Sequence, residues 1–287
     1  MDNPTTRSIK RFSELVQALP DAELERDWTW GSYKSEGIRF AYFRAYEDLR
    51  DLAVGIEHQR VISGEPWPDA QRILAQYHAA YRDLQAVLLG VESQYHEIPP
   101  AEGEWPVRRV LSHVVGADMG FYVAIKFALD RYQQGADPLI EIEDETWLEI
   151  IGLEDDEVDA KMAEALPGLQ SFHEELHQRI MTDFSGIADY ELEKPSRYWE
   201  DEMHSLRFRL HRFDAHMRQH TIQIEKTLQA LGHVPGESEK LLRLIFAALA
   251  QVEGALIGTG ETYQELLRDS AVRIDERTSE IEDIMAS

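Results

Sequence analysis

The sequence predicts an all-α protein built around a four-helix bundle, with helical extensions at both ends. Three observations lead there. Long stretches rich in Ala, Leu, Glu, Gln and Arg carry apolar residues at three- and four-residue steps, the period of a helix. Runs of alternating β-branched residues, the mark of half-buried strands, are absent. Breaks containing Pro and Gly divide the chain into segments of helical length.

A first helix is expected from about Ser8 to Leu19, stopped by Pro20. Asp27-Trp-Thr-Trp-Gly-Ser-Tyr33 reads as an aromatic loop. A second helix follows from about Glu36 to His58, with Phe40, Phe43, Leu49 and Leu52 near one face, and Ser63-Gly-Glu-Pro-Trp-Pro68 breaks it. These residues, 1–63, form the N-terminal extension; the bundle takes 64–235 and a C-terminal extension takes 236–287.

Within the bundle, Pro68 suits a first helical position, and the helix behind it is expected to reach about Glu97, ended by Pro99-Pro100-Ala-Glu-Gly103. The next opens at Trp105-Pro106 and runs to about Gln134, where Gly135-Ala-Asp-Pro138 breaks it. Residues 141–159 hold ten acidic residues and no basic ones, which reads as a solvated loop with one short turn around Trp147. No Asp-x-Asp-x-Asp-Gly spacing is present there, so a charged surface excursion outweighs a cation site. A third long helix is expected from about Glu157 to Phe184, bent or split by Pro167. After an aromatic and charged connection from Ala188 to Glu200, the fourth covers about Glu202 to Leu231 and ends at Gly232. The tail, Glu237 to Met285, is helical again and interrupted at Gly258-Thr-Gly260. That Gly-x-Gly follows no strand and precedes no Lys, so it reads as a helix break and not as a phosphate loop.

Composition narrows the function classes. The 287 residues are 43% apolar, enough for a core. Charge is −25, from 54 acidic against 29 basic residues, a surface that repels nucleic acid and anionic lipid. The best basic stretch, Arg207, Arg209, Arg212 and Arg218, reads as helix charges pairing with the many carboxylates. No run of about 18 apolar residues occurs, so no membrane span is expected. The N-terminus lacks the apolar stretch and cleavage site of a secretory signal, which makes a cytoplasmic protein the default expectation. There are no cysteines, so a metal must be held by His, Asp or Glu, and any thiol chemistry must use a thiol carried by a small molecule.

The chemistry is expected on the fourth helix. His216 and His220 stand four residues apart, one turn, beside the apolar stripe Leu206, Leu210, Phe213, Met217, Ile224, Leu228 and Leu231. A bare His-x-x-x-His is more often a pair of helix-surface or core-edge histidines than a metal site. His113, at the border of the buried face marked by Val107, Val110, Leu111 and Val114, raises the metal reading, because a bundle brings one helix's side chain against a pair on another. Gln223 is a candidate hydrogen-bond partner in the pocket. His173 and His177 form a rival pair, read mainly as a solvated or helix-pairing face, with lining of the pocket as the lesser reading; Asp118, Asp214 and Glu225 lie at offsets that suit surface roles. The aromatic group Trp28, Trp30, Tyr33, Phe40, Tyr42, Phe43 and Tyr46 reads as packing of an added helical layer, with closure of a pocket as the other reading.

Trp105 followed by His113, then His216-Met-Arg-Gln-His220-Thr-Ile-Gln223 and Leu231-Gly232, resembles the DinB/YfiT-like superfamily of helix-bundle metalloproteins, over about residues 68 to 232. The resemblance implies an up-down-down-up bundle and a three-histidine metal centre of His113, His216 and His220. Such a set leaves coordination positions open, as catalytic sites do. Zinc is the simplest divalent metal for it; nickel, iron and manganese are compatible. The resembled family includes transferases and isomerases that use a low-molecular-weight thiol, and proposed hydrolases. The expected function is therefore a metal-dependent enzyme that activates a small-molecule thiol or water on a small-molecule substrate, with no nucleic-acid or membrane partner. The alternative is a non-catalytic helical interaction module, a homodimer built through its tail helices.

Overall fold

A computed structural model describes residues 3–17, 19–198 and 202–287. Among the described residues the chain is all-α apart from one short strand pair and an isolated bridge between Trp30 and Tyr33. In order the helices are α1 (Pro4–Val16), α2 (Arg39–Ser63), α3 (Asp69–Leu88), α4 (Val107–Gln133), α5 (Asp144–Ile151), α6 (Asp155–Ala163), α7 (Leu166–Phe184), α8 (Asp189–Leu192), α9 (Leu206–Ala230), α10 (Glu237–Ala255) and α11 (Gln264–Ala286). Strands β1 (Pro195–Ser196) and β2 (His204–Ser205) pair antiparallel just ahead of α9. Ala18, in the expected first helix, and Trp199 and Glu200, in the expected connection, lie outside the described residues.

The chain forms two compact units. One holds residues 1–66, 81–91 and 233–287; the other holds 67–80 and 92–232, so α3 is divided between them. In the first unit, α1 packs on α11 and α2 on α10. Phe12, Tyr42, Leu49, Ile56, Ile245 and Ile274 are shut from solvent in its core. Glu253 is fully buried there, and Arg82 grips both its oxygens at 2.7 and 2.5 Å while the Thr6 hydroxyl donates to it at 2.7 Å. Such a buried carboxylate is tolerable because its charge is paired and its lone pairs are used. The aromatic group belongs to this unit: Trp28 and Trp30 both meet Phe40 edge-on, and Tyr42 meets Phe12. Trp28 and Tyr42 are thus packed in the core, while Trp30, Tyr33 and Phe43 stay exposed.

In the second unit α4 packs against α7 and α9. It is long and apolar enough to cross a membrane, with mean hydropathy 1.3 over its best window, but 72% of that window is buried inside the fold, as a central core helix requires. His113 meets His216 and His220, whereas Phe121, further along α4, meets Phe213 and His216, so α4 and α9 run antiparallel.

Several boundaries differ from the sequence expectation. Helix α3 stops at Leu88 and not near Glu97, because Gly90 takes a left-handed φ of 75° that ends the turn. The acidic stretch is not a loop: it forms α5 and α6, whose first turns carry Asp144 and Glu145, and Asp155, Asp156 and Glu157, where the helix dipole favours carboxylates. Pro167 starts α7 instead of bending a longer helix. The tail breaks between α10 and α11 around Gly258 and Gly260, as expected, both with positive φ.

The rival residues also moved inward. His173 and His177 are each only 3% exposed, so of the two readings of that pair helix pairing holds and solvation does not. His177 Nε2 lies 2.9 Å from His78 Nδ1, a bond between α7 and α3. Asp118 has no solvent exposure at all, against its expected surface role. Its Oδ2 accepts from the Tyr77 hydroxyl at 2.9 Å and lies 3.2 Å from His173 Nε2, while Oδ1 makes no hydrogen bond among the described residues. Burial pushes this carboxyl above the usual carboxylate range, outweighing the two hydrogen bonds that pull it down.

The sign of the consequence is fixed. Above the ordinary carboxylate pKa the unfolded chain has released this proton and the folded chain keeps it, so the group's contribution to stability falls as pH rises. Asp118→Asn, which cannot ionise, should therefore gain stability relative to wild type between about pH 4 and about pH 7.5 in urea unfolding. A constant difference, or one of the opposite slope, would overturn the protonated buried carboxyl.

Candidate metal centre

The site lies where α4 faces α9. Phe213 is fully buried on α9 and meets the rings of Tyr77, Phe121 and Phe184, from α3, α4 and α7, at 4.9, 5.5 and 6.5 Å. One turn further on, His216 comes against Phe121 at 5.8 Å between ring centres. The aromatic packing thus sets how α9 is turned, and the turn aims His216 and His220 at α4.

The three expected histidines come together. Ligand nitrogens of His113, His216 and His220 all lie within 4.8 Å of one another. His216 Nε2 lies 3.2 Å from His113 Nε2 and 3.1 Å from His220 Nε2. Two nitrogens on one tetrahedral zinc, at ordinary bond lengths, stand roughly 3.3 Å apart. His216 and His220 are buried, 7% and 6% exposed, and His113 is exposed. The group is therefore rooted in the core and open on the side of α4.

The protonation pattern suits ligands. Burial, then the neighbouring His220 and His113 and the Arg212 guanidinium, hold His216 down at about 3. Partial burial and His220 lower His113 as well. Both rings are neutral at pH 7. Gln223 does hydrogen-bond at the site: its Oε1 lies 2.7 Å from His220 Nδ1, which must then carry the proton and leave Nε2 as a lone pair facing the group. His216 Nδ1 is buried without a hydrogen bond. One N–H on His216 cannot serve both neighbouring Nε2 atoms, so three ring nitrogens converge on a point with too few protons between them. A cation at that point satisfies the lone pairs.

A cleft of about 800 Å³ opens beside the group, walled by Trp105, His113, Phe121, Met162, Tyr198 and His216 among others, with Arg109 and Arg212 also on its lining. That volume suits a small molecule. Trp105, His113, Arg212 and His216 stand out in the sequence; Arg109, Phe121 and Met162 do not, although Arg109 and Arg212 each precede a site histidine by one turn, a spacing that carries the signal. Arg212 was expected to pair with carboxylates, as Arg218 does with Asp214 at 2.7 Å; instead it lies at the cleft with its guanidinium 5.7 Å from the Phe121 ring. Arg209 is fully buried. Asp214 and Glu225 stay outside the histidine group. His204 stacks on Phe208, and His233 pairs with Glu239 at 3.4 Å.

This geometry defines a helical protein with a three-histidine constellation at the mouth of a cleft. The chain belongs to the DinB superfamily, whose family profile its residues 5–224 match. The match begins in α1 and ends within α9, so it takes in the N-terminal helices and stops short of Leu231-Gly232. No curated protein and no solved structure matches the chain.

Tyr198 lies over Gly120, where a Cβ would collide with its hydroxyl. Gly120→Ala should leave α4 helical, since alanine favours the helix by about 1 kcal/mol, and drive the Tyr198 ring off the cleft wall. Tetranitromethane labelling mapped to Tyr198 should rise in the variant; unchanged labelling would contradict this seating.

Proposed function

We propose that this protein is a metal-dependent enzyme of the DinB type, with His113, His216 and His220 as the metal ligands. The observation that carries the reading is the convergence of three imidazole ring nitrogens within 4.8 Å from two antiparallel helices, beside an open cleft. The proposal includes the arrangement of residues 64–235 as an up-down-down-up four-helix bundle, and zinc as the metal, with nickel, iron or manganese able to use the same donors.

The residues divide the work. His216 and His220 form a rigid pair one turn apart, held by the core on one side and, for His220, by Gln223 on the other. His113 supplies the third donor from α4 and borders the cleft. A metal held by these three supplies Lewis acidity, lowering the pKa of a bound water or thiol and polarising a carbonyl. Trp105, Phe121 and Tyr198 give the cleft apolar walls that limit water around the reacting atoms. The reactions the family resemblance suggests for such a centre are thiol transfer, thiol-dependent isomerisation and hydrolysis; with no cysteine in the chain, a thiol used in the first two would come with a small-molecule cosubstrate.

Elemental analysis of the purified chain should find about one divalent ion per chain. His113→Ala, His216→Ala and His220→Ala should each lose it, and Gln223→Leu should weaken it by about 10–100-fold while the fold persists. Absence of metal from the wild type overturns the reading and leaves a helical interaction module. A panel of low-molecular-weight thiols with electrophiles, run beside ester and amide substrates, separates transfer from hydrolysis, and chelation must abolish whichever turnover is found.

A further inference from the structure

The two arginines of the cleft have no acidic partner among the described residues. Every described residue that lines the cleft is neutral or basic, in a chain with 54 acidic against 29 basic residues. Their neighbours behave differently. Arg108, beside Arg109, pairs with Glu97 at 3.1 Å. Arg207, on the same helix as Arg212, holds Asp69 and Glu193, each at 2.9 Å. Arg109 and Arg212 make no ion pair among the described residues; each lies instead over an aromatic ring, Arg109 at 4.8 Å from Trp105 and Arg212 at 5.7 Å from Phe121. A guanidinium resting on a ring keeps its N–H edge for another acceptor.

They also stand on opposite sides of the histidines. Arg109 precedes His113 by one turn on α4, and Arg212 precedes His216 by one turn on α9. Because those helices are antiparallel, the two guanidiniums leave the histidine group in opposite directions. The ring contacts trace the same line: Trp105 to His113 at 5.3 Å, His113 to His216 at 5.0 Å, and His216 to Phe121 at 5.8 Å.

We propose that the cleft binds a small, elongated organic dianion, with one carboxylate on Arg109, the other on Arg212, and its middle over the three histidines. The position of the middle rests on the metal-centre reading; the two anion contacts rest on the guanidiniums. A carboxylate accepts two parallel N–H bonds from a guanidinium, and a site with fixed cations at both ends selects against ligands charged at one end only. The aromatic walls between the ends suit an apolar linker.

Calorimetric titration of the full-length, metal-loaded chain with straight-chain dicarboxylates of increasing length, and with monocarboxylates of matching length, tests this. One dicarboxylate length should bind at least about tenfold more tightly than its monocarboxylate. Arg109→Gln and Arg212→Gln should each erase that preference while metal content stays at the wild-type level, and Arg218→Gln, a surface residue of α9 paired with Asp214 away from the cleft, should keep it. Equal binding of the two series, or a preference that survives both variants, overturns the dianion site. Metal content, measured on the same samples, reports separately on the metal centre: wild type without metal sinks that reading, whatever the titration shows.

Discussion

The site depends on one packing contact, Phe213 among the rings of Tyr77, Phe121 and Phe184. It is fully buried, and it joins α9 to three other helices at once. A helix turned by one residue rotates its side chains by about 100°, which would swing His216 and His220 away from α4. The aromatic fit penalises that rotation through lost burial and lost ring contacts. Precise placement of the imidazoles is thus inherited from apolar packing one turn away, where no chemistry takes place. This is the usual economy of a helical scaffold: rigid apolar layers position a few polar atoms.

The electrostatics of the second unit follow from the same layering. Behind Phe213, polar side chains are spent on one another: Tyr77 and His173 on Asp118, His78 on His177. These bonds tie α3, α4 and α7 together and hold the helices that α9 packs upon. In front of it, the polar side chains are left facing the cleft. His216 is held neutral mainly by its burial, and Arg212 adds to that by disfavouring a second positive charge beside it. One face of the aromatic layer is therefore closed hydrogen-bonded structure, and the other presents imidazole nitrogens and guanidiniums to the cleft.

The histidine constellation was legible because each part obeys a local rule. An i, i+4 pair needs only helical periodicity, and His113 beside the apolar face of its helix needs only a partner helix. Gln223 follows by the same arithmetic, since three residues bring it back beside His220. Asp118 and the pair His173 and His177 escaped the same reasoning. For Asp118 the offset from a ligand face is misleading, because it assumes that other faces meet water; for the histidine pair the polar neighbours Glu174, Glu175 and Gln178 point to solvent as readily as to helix pairing. Helix α4 breaks that premise, because its buried residues run from Val107 to Leu129 and include consecutive stretches such as Asp118 to Ile125, with every side of the helix represented. On a helix enclosed all round, an offset from the ligand decides only which neighbour a side chain meets.

The acidic stretch shows the converse limit. Ten carboxylates in 141–159 argued for solvent, and the residues of α5 and α6 are indeed mostly exposed or half-buried. Exposure does not prevent helix formation when the charges fall at helix starts, and Glu154 closes a capping box with Glu157 at the start of α6. Besides the packing of α5 on α4 and α6 on α7, directed bonds hold the segment: Arg179 of α7 donates to the carbonyls of Ile150 and Ile151, and Arg108 of α4 donates to the carbonyl of Met162 at 3.2 Å. Arginines again decide the arrangement, here by satisfying the open carbonyls at helix ends. Met162, at the end of that segment, is part of the cleft wall. A run of charge that carries no catalytic signal of its own therefore still shapes the site, because its helix ends are pinned to the two helices that flank it.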